Sequence, residues 1–271
     1  MSTQTTSSST WMKQETYRTT LQPLGVAGSL VLFGMPAIVT FAAFHALRPW
    51  LESLGYDELT SFLAALCLPL SLLFFAALFG YHKIEGRPLT WPAFSERMRL
   101  PRLRWQDIVW GLAIFIIGGL GVGLLSGLVI MLIQKGWMPI PDHLPGMADP
   151  RVAFSPDMLL QWAGGAIHGR WDIVILYLGV FFFNIAGEEL WWRGYILPRQ
   201  ELVFGRKTWL VHGLLWACFH VFKWWDILPL FPLCLLTSYC AQRTRSTWGG
   251  LIGHALSNGI SMITILWFIV R

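Results

Sequence analysis

The stretch DIVWGLAIFIIGGLGVGLLSGLVIMLI (107–133) carries one charged residue, Asp107, in 27 positions. A bilayer core about 30 Å thick is crossed by about 20 apolar residues in helical form, so this segment is long enough to span. Working outward, the segments at about 24–47, 59–80, 172–190 and 247–270 have the same character. Two more, about 208–222 and 227–242, are shorter and contain His212, His220, Pro229 and Pro232. Short, polar-interrupted segments persist at membrane depth only inside a bundle or along a cavity. The pattern predicts an all-α fold, a polytopic integral membrane helical bundle of about seven transmembrane helices with room for an eighth. Composition agrees: 55% of the 271 residues are hydrophobic and 13% charged, against about 25% charged in an ordinary soluble domain. A soluble fold of this size cannot hide that much apolar surface. The same figures exclude a disordered chain, a coiled coil and a secreted disulfide scaffold. No internal repeat is visible, so an inverted-repeat transporter gains no support.

The net charge of +5 does not point to nucleic acid, because the basic residues lie between apolar spans. With the N-terminus inside, fourteen of the 20 Lys and Arg residues fall on the inner side; Arg48, Lys135, Arg151, Arg170, Lys223 and Arg271 fall outside. This asymmetry predicts an N-in, C-out topology. The densest basic run, ERMRLPRLRW (96–105), reads as a positive-inside anchor lying against anionic headgroups. Trp50, Trp105, Trp110, Trp171, Trp224, Trp225 and Trp248 flank spans, as in an interfacial belt. In the long outer connection, Ser155 and Pro156 of SPDMLLQW (155–162) predict a capped short helix. Cys67, Cys218, Cys234 and Cys240 show no CxxC pairing and read as small buried hydrophobes. Residues 1–23 are polar, lack the apolar core of a signal peptide and read as a disordered tail ahead of a helical domain over 24–271.

An ionisable side chain inside a membrane is costly unless partnered, so the places where such groups gather are informative. All three lie in the C-terminal half. In NIAGEELWWRGYILPR (184–199), Glu189 and Arg193 are four apart and suit a helical ion pair. Glu188 points about 100° away, shares a face with Asn184 and is left without that partner. In WACFHVFKWW (216–225), His220 follows Trp216 by one turn. In LIGHALSNG (251–259), His254 and Asn258 share a face, and Gly249, Gly250, Gly253 and Gly259 permit close helix approach. A free carboxylate, two imidazoles and a carboxamide can activate water and stabilise an oxyanion. GxSxG, HExxH, HxxEH and Cys/His zinc spacings do not occur.

These motifs, EELWWR (188–193), WACFH (216–220) and HALSN (254–258), resemble the EExxxR, F/WxxxH and HxxxN motifs of the CPBP intramembrane proteases. That family includes the type II CAAX prenyl endopeptidases and bacterial bacteriocin-processing or self-immunity proteins. The resemblance covers about 172–262. It implies that Glu188 is the general base, that His220 helps hold the attacking water, and that His254 and Asn258 bind the developing oxyanion. Glu189 and Arg193 would form a supporting pair, with Trp216 beside them. The family is often called metalloproteases, and Glu188, His220 and His254 could supply a three-ligand zinc site; a metal-free, glutamate-activated water is the alternative this reading prefers.

The resulting expectation is an intramembrane endopeptidase that cleaves a peptide precursor or membrane-protein segment near the cytoplasmic face of a bacterial inner (plasma) membrane. Its partners would be a peptide substrate and the lipid bilayer, with no nucleic acid. A non-catalytic immunity or scaffold protein of the same family is the rival, and a transporter using the same buried charges comes third.

Overall fold

The structure, a computed structural model, describes residues 21–152 and 155–270. The predicted tail lies outside the described residues up to position 20. Its last residues are pinned: Arg199 Nε donates to the Gln22 carbonyl (3.2 Å) and the Leu24 amide to the Arg199 carbonyl (3.0 Å). The chain is all-α, with no strand among the described residues. Five stretches are long and apolar enough to cross a membrane: Val26–Ser53, Glu58–Ile84, Trp105–Gln134, Trp171–Thr244 and Trp248–Val270. We call the first three α1, α2 and α4, with α3 the short helix Trp91–Arg97 and α5 the short helix Pro156–Trp162. The 74-residue fourth stretch is three helices in succession: α6 (171–204), α7 (Thr208–Phe219) and α8 (Ile227–Thr244). The last helix, Trp248–Val270, is α9. The two shorter segments expected at about 208–222 and 227–242 are thus distinct helices, and Ser155 caps α5 by accepting from the Met158 amide at 3.2 Å.

The helix ends sort into two groups. At one end lie the start of α1, the 85–104 connection, the 205–207 turn between α6 and α7, and the 245–247 link into α9. Thr247 donates from its amide to the Arg99 carbonyl (2.8 Å) and from its hydroxyl to that of Met98 (2.7 Å). Trp248 Nε1 donates to the Pro101 carbonyl (2.7 Å). At the opposite end lie the 134–171 connection and the 220–226 turn, joined by Trp225 Nε1 donating to the Ala148 carbonyl (3.1 Å) and Trp224 Nε1 to that of Pro139 (2.9 Å). Trp50, Trp105 and Trp171 are exposed, as a belt requires, but Trp225 is fully buried and belongs to the core. Of the cysteines, Cys234 and Cys240 are buried, whereas Cys218 is exposed on an apolar helix.

The basic run 96–105 behaves differently from a headgroup anchor. Arg97 is buried and pairs with Glu85 (2.6 Å), while its Nη1 donates to the Gly194 carbonyl (2.7 Å) and Nη2 to that of Tyr195 (3.2 Å). Arg99 forms a two-bond fork with Glu201 (2.8 and 2.6 Å), and Arg104 pairs with Asp107 (3.0 Å). Arg97 and Arg99 therefore clamp the run onto α6, through the Gly194 and Tyr195 carbonyls and through Glu201, whereas Arg104 pairs locally with Asp107 in the first turn of α4.

Gly194 and Tyr195 lie in a stretch of α6 wound as π-helix. Phe183–Gly187 and Glu189–Ile196 both have i→i+5 backbone bonding, with Glu188 between them. A π-turn shifts carbonyls out of the α register and concentrates at functional positions; Arg97 satisfies two carbonyls of this segment. Burial lowers the Arg97 pKa from its usual value, with the Glu85 carboxylate opposing that effect. Removing one partner of a buried ion pair leaves an uncompensated charge. Arg97→Ala is expected to lower stability by about 3 kcal/mol in detergent unfolding, whereas Arg102→Ala, on an exposed arginine of the same run, leaves it unchanged.

Candidate active site

Four of the residues singled out by the motifs meet at one cavity. Glu188 from α6, His220 at the end of α7, and His254 and Asn258 from α9 all line a space of about 210 Å³. Its wall also includes Asn184, Trp216, Lys223, Ser257 and, from α1 and α2, Thr40, Leu66 and Leu70. The first two helices thus contribute directly to the site, which no motif in them had indicated.

Two indoles hold Glu188. Trp216 Nε1 donates to its Oε2 at 2.8 Å, and Trp192 Nε1 donates to the same oxygen at 3.3 Å. The carboxylate is 4% exposed, so these donors offset lost water contacts and leave Oε1 to other partners. Trp192 was not recognisable from the motif. The signal that points to it is its place four residues after Glu188, on the same helical side. It also stacks on Phe33 of α1, ring centroids 4.3 Å apart, which fixes the indole plane.

Trp216 has a second duty. The Arg193 guanidinium sits 3.4 Å over its ring centroid, a cation–π contact. Arg193 Nη1 is also 3.3 Å from Glu189 Oε1, and both side chains are fully buried. The expected Glu189–Arg193 pair is present as a charge contact. However, the three guanidinium nitrogens and Glu189 Oε2 lack aligned hydrogen bonds. His254 Nδ1 meets Glu189 Oε1 at 3.3 Å. Glu189 therefore links the α6 cation to the α9 imidazole. Gly250 makes this approach possible, since a Cβ there would fall within 2.1 Å of Glu189 Oε2. Gly187 does likewise beside Glu188, where a Cβ would meet the Leu70 carbonyl of α2 at 2.7 Å. At Gly259 a Cβ would meet only the Phe181 ring, at 4.0 Å, an ordinary contact, so it is not part of that close packing.

Proton positions follow from the partners. His220 Nδ1 lies 2.9 Å from the Trp216 carbonyl, an acceptor, so Nδ1 carries the hydrogen and Nε2 is free to accept. His254 Nδ1 faces a carboxylate, so it too carries a hydrogen, and only the doubly protonated ring offers an Nε2–H donor. Asn184 Oδ1 is buried with no hydrogen-bond partner and lines the same space. His212, given no role from sequence, is buried away from the cavity in a chain: its Nδ1 is 2.6 Å from Gln200 Oε1, and Gln200 Nε2 donates to Ser29 Oγ at 2.9 Å.

A three-ligand metal site from Glu188, His220 and His254 does not fit this arrangement. Among the described residues, no group of three His, Cys, Asp or Glu stands close enough to share an ion. The cavity also differs from expectation in depth. It extends from Glu188, near the middle of α6, to His220, Phe222 and Lys223, because α7 runs away from the basic end and delivers its last residue to the opposite one.

The Arg193 environment makes a prediction. Glu189→Ala and Arg193→Ala each strand a buried charge and are expected to cost about 3–5 kcal/mol, seen as lost folded yield. Glu188→Gln, which keeps an oxygen for the two indoles, is expected to fold normally. Equal yields for all three would overturn this division of labour.

Residues 170–260 match a family model described as Type II CAAX prenyl endopeptidase Rce1-like. No curated protein and no solved structure matches the chain. The matched segment runs from the start of α6 into α9 and contains each of Glu188, Glu189, Arg193, Trp216, His220, His254 and Asn258. Over that segment this integral membrane protein is similar to the type II CAAX prenyl endopeptidases that the family model describes.

Proposed function

We propose that the chain is an intramembrane endopeptidase in which Glu188 activates water for attack on a peptide carbonyl. The observation that carries this reading is the convergence of Glu188, His220, His254 and Asn258, from three helices, on one cavity large enough for water and part of a peptide. Glu188 takes a proton from water as the oxygen attacks the carbonyl carbon. His220, through its free Nε2, helps hold that water. The carbonyl oxygen becomes an oxyanion, bound by the Asn258 amide and by His254 in its doubly protonated form. Collapse of the tetrahedral species breaks the C–N bond as the Glu188 proton passes to the leaving amine. Trp192 and Trp216 are positioning residues that fix the Glu188 carboxylate. The unpartnered Asn184 Oδ1 is suited to accept from the substrate backbone.

The Lys and Arg asymmetry supports an orientation with the basic end in the cytoplasm, as in the inner membrane of a bacterium with the N-terminus inside. With that orientation the cavity leads away from the cytoplasm toward the 220–226 turn. Cleavage is then inferred at mid-membrane or in the outer half rather than at the cytoplasmic surface expected from the motifs alone. The substrate class is a peptide precursor or a membrane-protein segment. An impermeant maleimide on intact cells is expected to label Lys223→Cys and spare Arg102→Cys. The reverse pattern would return cleavage to the cytoplasmic face.

The activity is tested by comparing membrane peptides from cells carrying wild-type protein with those carrying Glu188→Gln. Loss of specific products is expected, and identical peptide patterns would favour the non-catalytic immunity or scaffold reading. In the purified protein, Asn258→Ala should lower kcat by about 10²–10³. Trp216→Phe should lower it more than Trp192→Phe, in keeping with the shorter bond.

A further inference from the structure

A second cavity, of about 380 Å³, lies at the basic end and is lined by Arg206, Trp209, Tyr239, Gln242, Arg243 and Arg245. Three guanidiniums from two separate connections, the α6–α7 turn and the end of α8, converge on it. Three other arginines at this end have carboxylates: Glu85 serves Arg97, Glu201 serves Arg99 and Asp107 serves Arg104. Arg206, Arg243 and Arg245 are exposed and, among the described residues, no carboxylate pairs with them. The scaffold beneath is fixed. Gln242 accepts from the Trp209 amide at 2.8 Å and donates to the Gly205 carbonyl at 2.7 Å. Trp209 and Tyr239 meet edge to face, centroids 5.6 Å apart. Arg245 stands in the left-handed region, φ 51°, which turns it back toward this cavity rather than onward into α9.

We propose that this cavity binds the phosphate of an anionic phospholipid headgroup. Guanidiniums recognise phosphate oxygens through paired N–H donors, and three unneutralised ones provide the opposing charge. The place favours a lipid over a free ion. Leu202, Val203 and Leu210 are exposed apolar neighbours on α6 and α7, where acyl chains would run, and the two aromatic rings suit the headgroup–acyl boundary.

The test compares lipids retained through detergent purification by wild-type protein, by R206Q/R243Q/R245Q, and by K83Q/R102Q/K207Q. The last removes the same charge from exposed positions at the same end but outside the cavity. Wild type is expected to retain phosphatidylglycerol over phosphatidylcholine, and the cavity variant to lose about fivefold in that preference per arginine removed. The matched variant should lose much less. Equal losses in both variants would reduce the effect to general surface charge and overturn the site, as would no loss in the cavity variant. Both variants change exposed residues, and an unaltered melting temperature in phosphatidylcholine verifies that each folds. Phosphatidylglycerol added to delipidated wild type should raise its melting temperature, and inorganic phosphate should not. An equal rise with phosphate alone would place a free anion there and overturn the lipid assignment.

Discussion

The arrangement of the cavity depends on one buried cation. Arg193 is fully enclosed, and a guanidinium in that position is stable only if its surroundings supply negative potential. Glu189 supplies a full charge on one side and the face of Trp216 a quadrupole on the other. Each partner then acts on a second group. The edge of Trp216 holds the Glu188 carboxylate, and Glu189 meets the imidazole of His254. The two glutamates, adjacent in sequence, are thereby separated in role: one is consumed by structure, and the other is presented to the cavity on indole donors. The Glu189–Arg193 pair and the cavity-lining Glu188 and His254 are parts of one electrostatic assembly spanning α6, α7 and α9.

That assembly sits on irregular helix. The π-wound stretches on either side of Glu188 forgo the regular i→i+4 ladder, and such a segment needs external bonds to be held in place. Arg97, arriving from the connection between α2 and α4, provides them at Gly194 and Tyr195 and is itself neutralised by Glu85. The close approach of α2 at Gly187 and of α9 at Gly250 locks the other faces. The N-terminal helices, which carry none of the motifs, thus constrain the geometry of the residues that do. They also furnish apolar walls to the cavity through Leu66 and Leu70.

The end of the bundle rich in arginine divides into two kinds of residue with different physics. Arg97, Arg99 and Arg104 are tied to carboxylates and secure the fold, whereas Arg206, Arg243 and Arg245 surround an open space with their charge uncompensated. Identical side chains a short distance apart therefore serve packing in one place and recognition in the other. Only the position of the acids separates them.

Hydropathy and charge were enough to establish an all-helical membrane protein, and motif spacing was enough to gather Glu188, His220, His254 and Asn258 as one set. Those features are local, because the length of an apolar run and the identity of a polar residue inside it do not depend on distant contacts. The tertiary structure decided what pairwise spacing cannot express. It wound the Glu188 region as π-helix and recruited Trp192 to the carboxylate. It moved Trp225 from the belt into the core and turned Arg97 from a headgroup anchor into a clamp. It also set the cavity toward the 220–226 turn instead of the basic end. Each outcome depends on which residues from remote segments are brought within a few ångströms, and the cost of leaving a charge or carbonyl unpartnered in an apolar interior selects among the available packings.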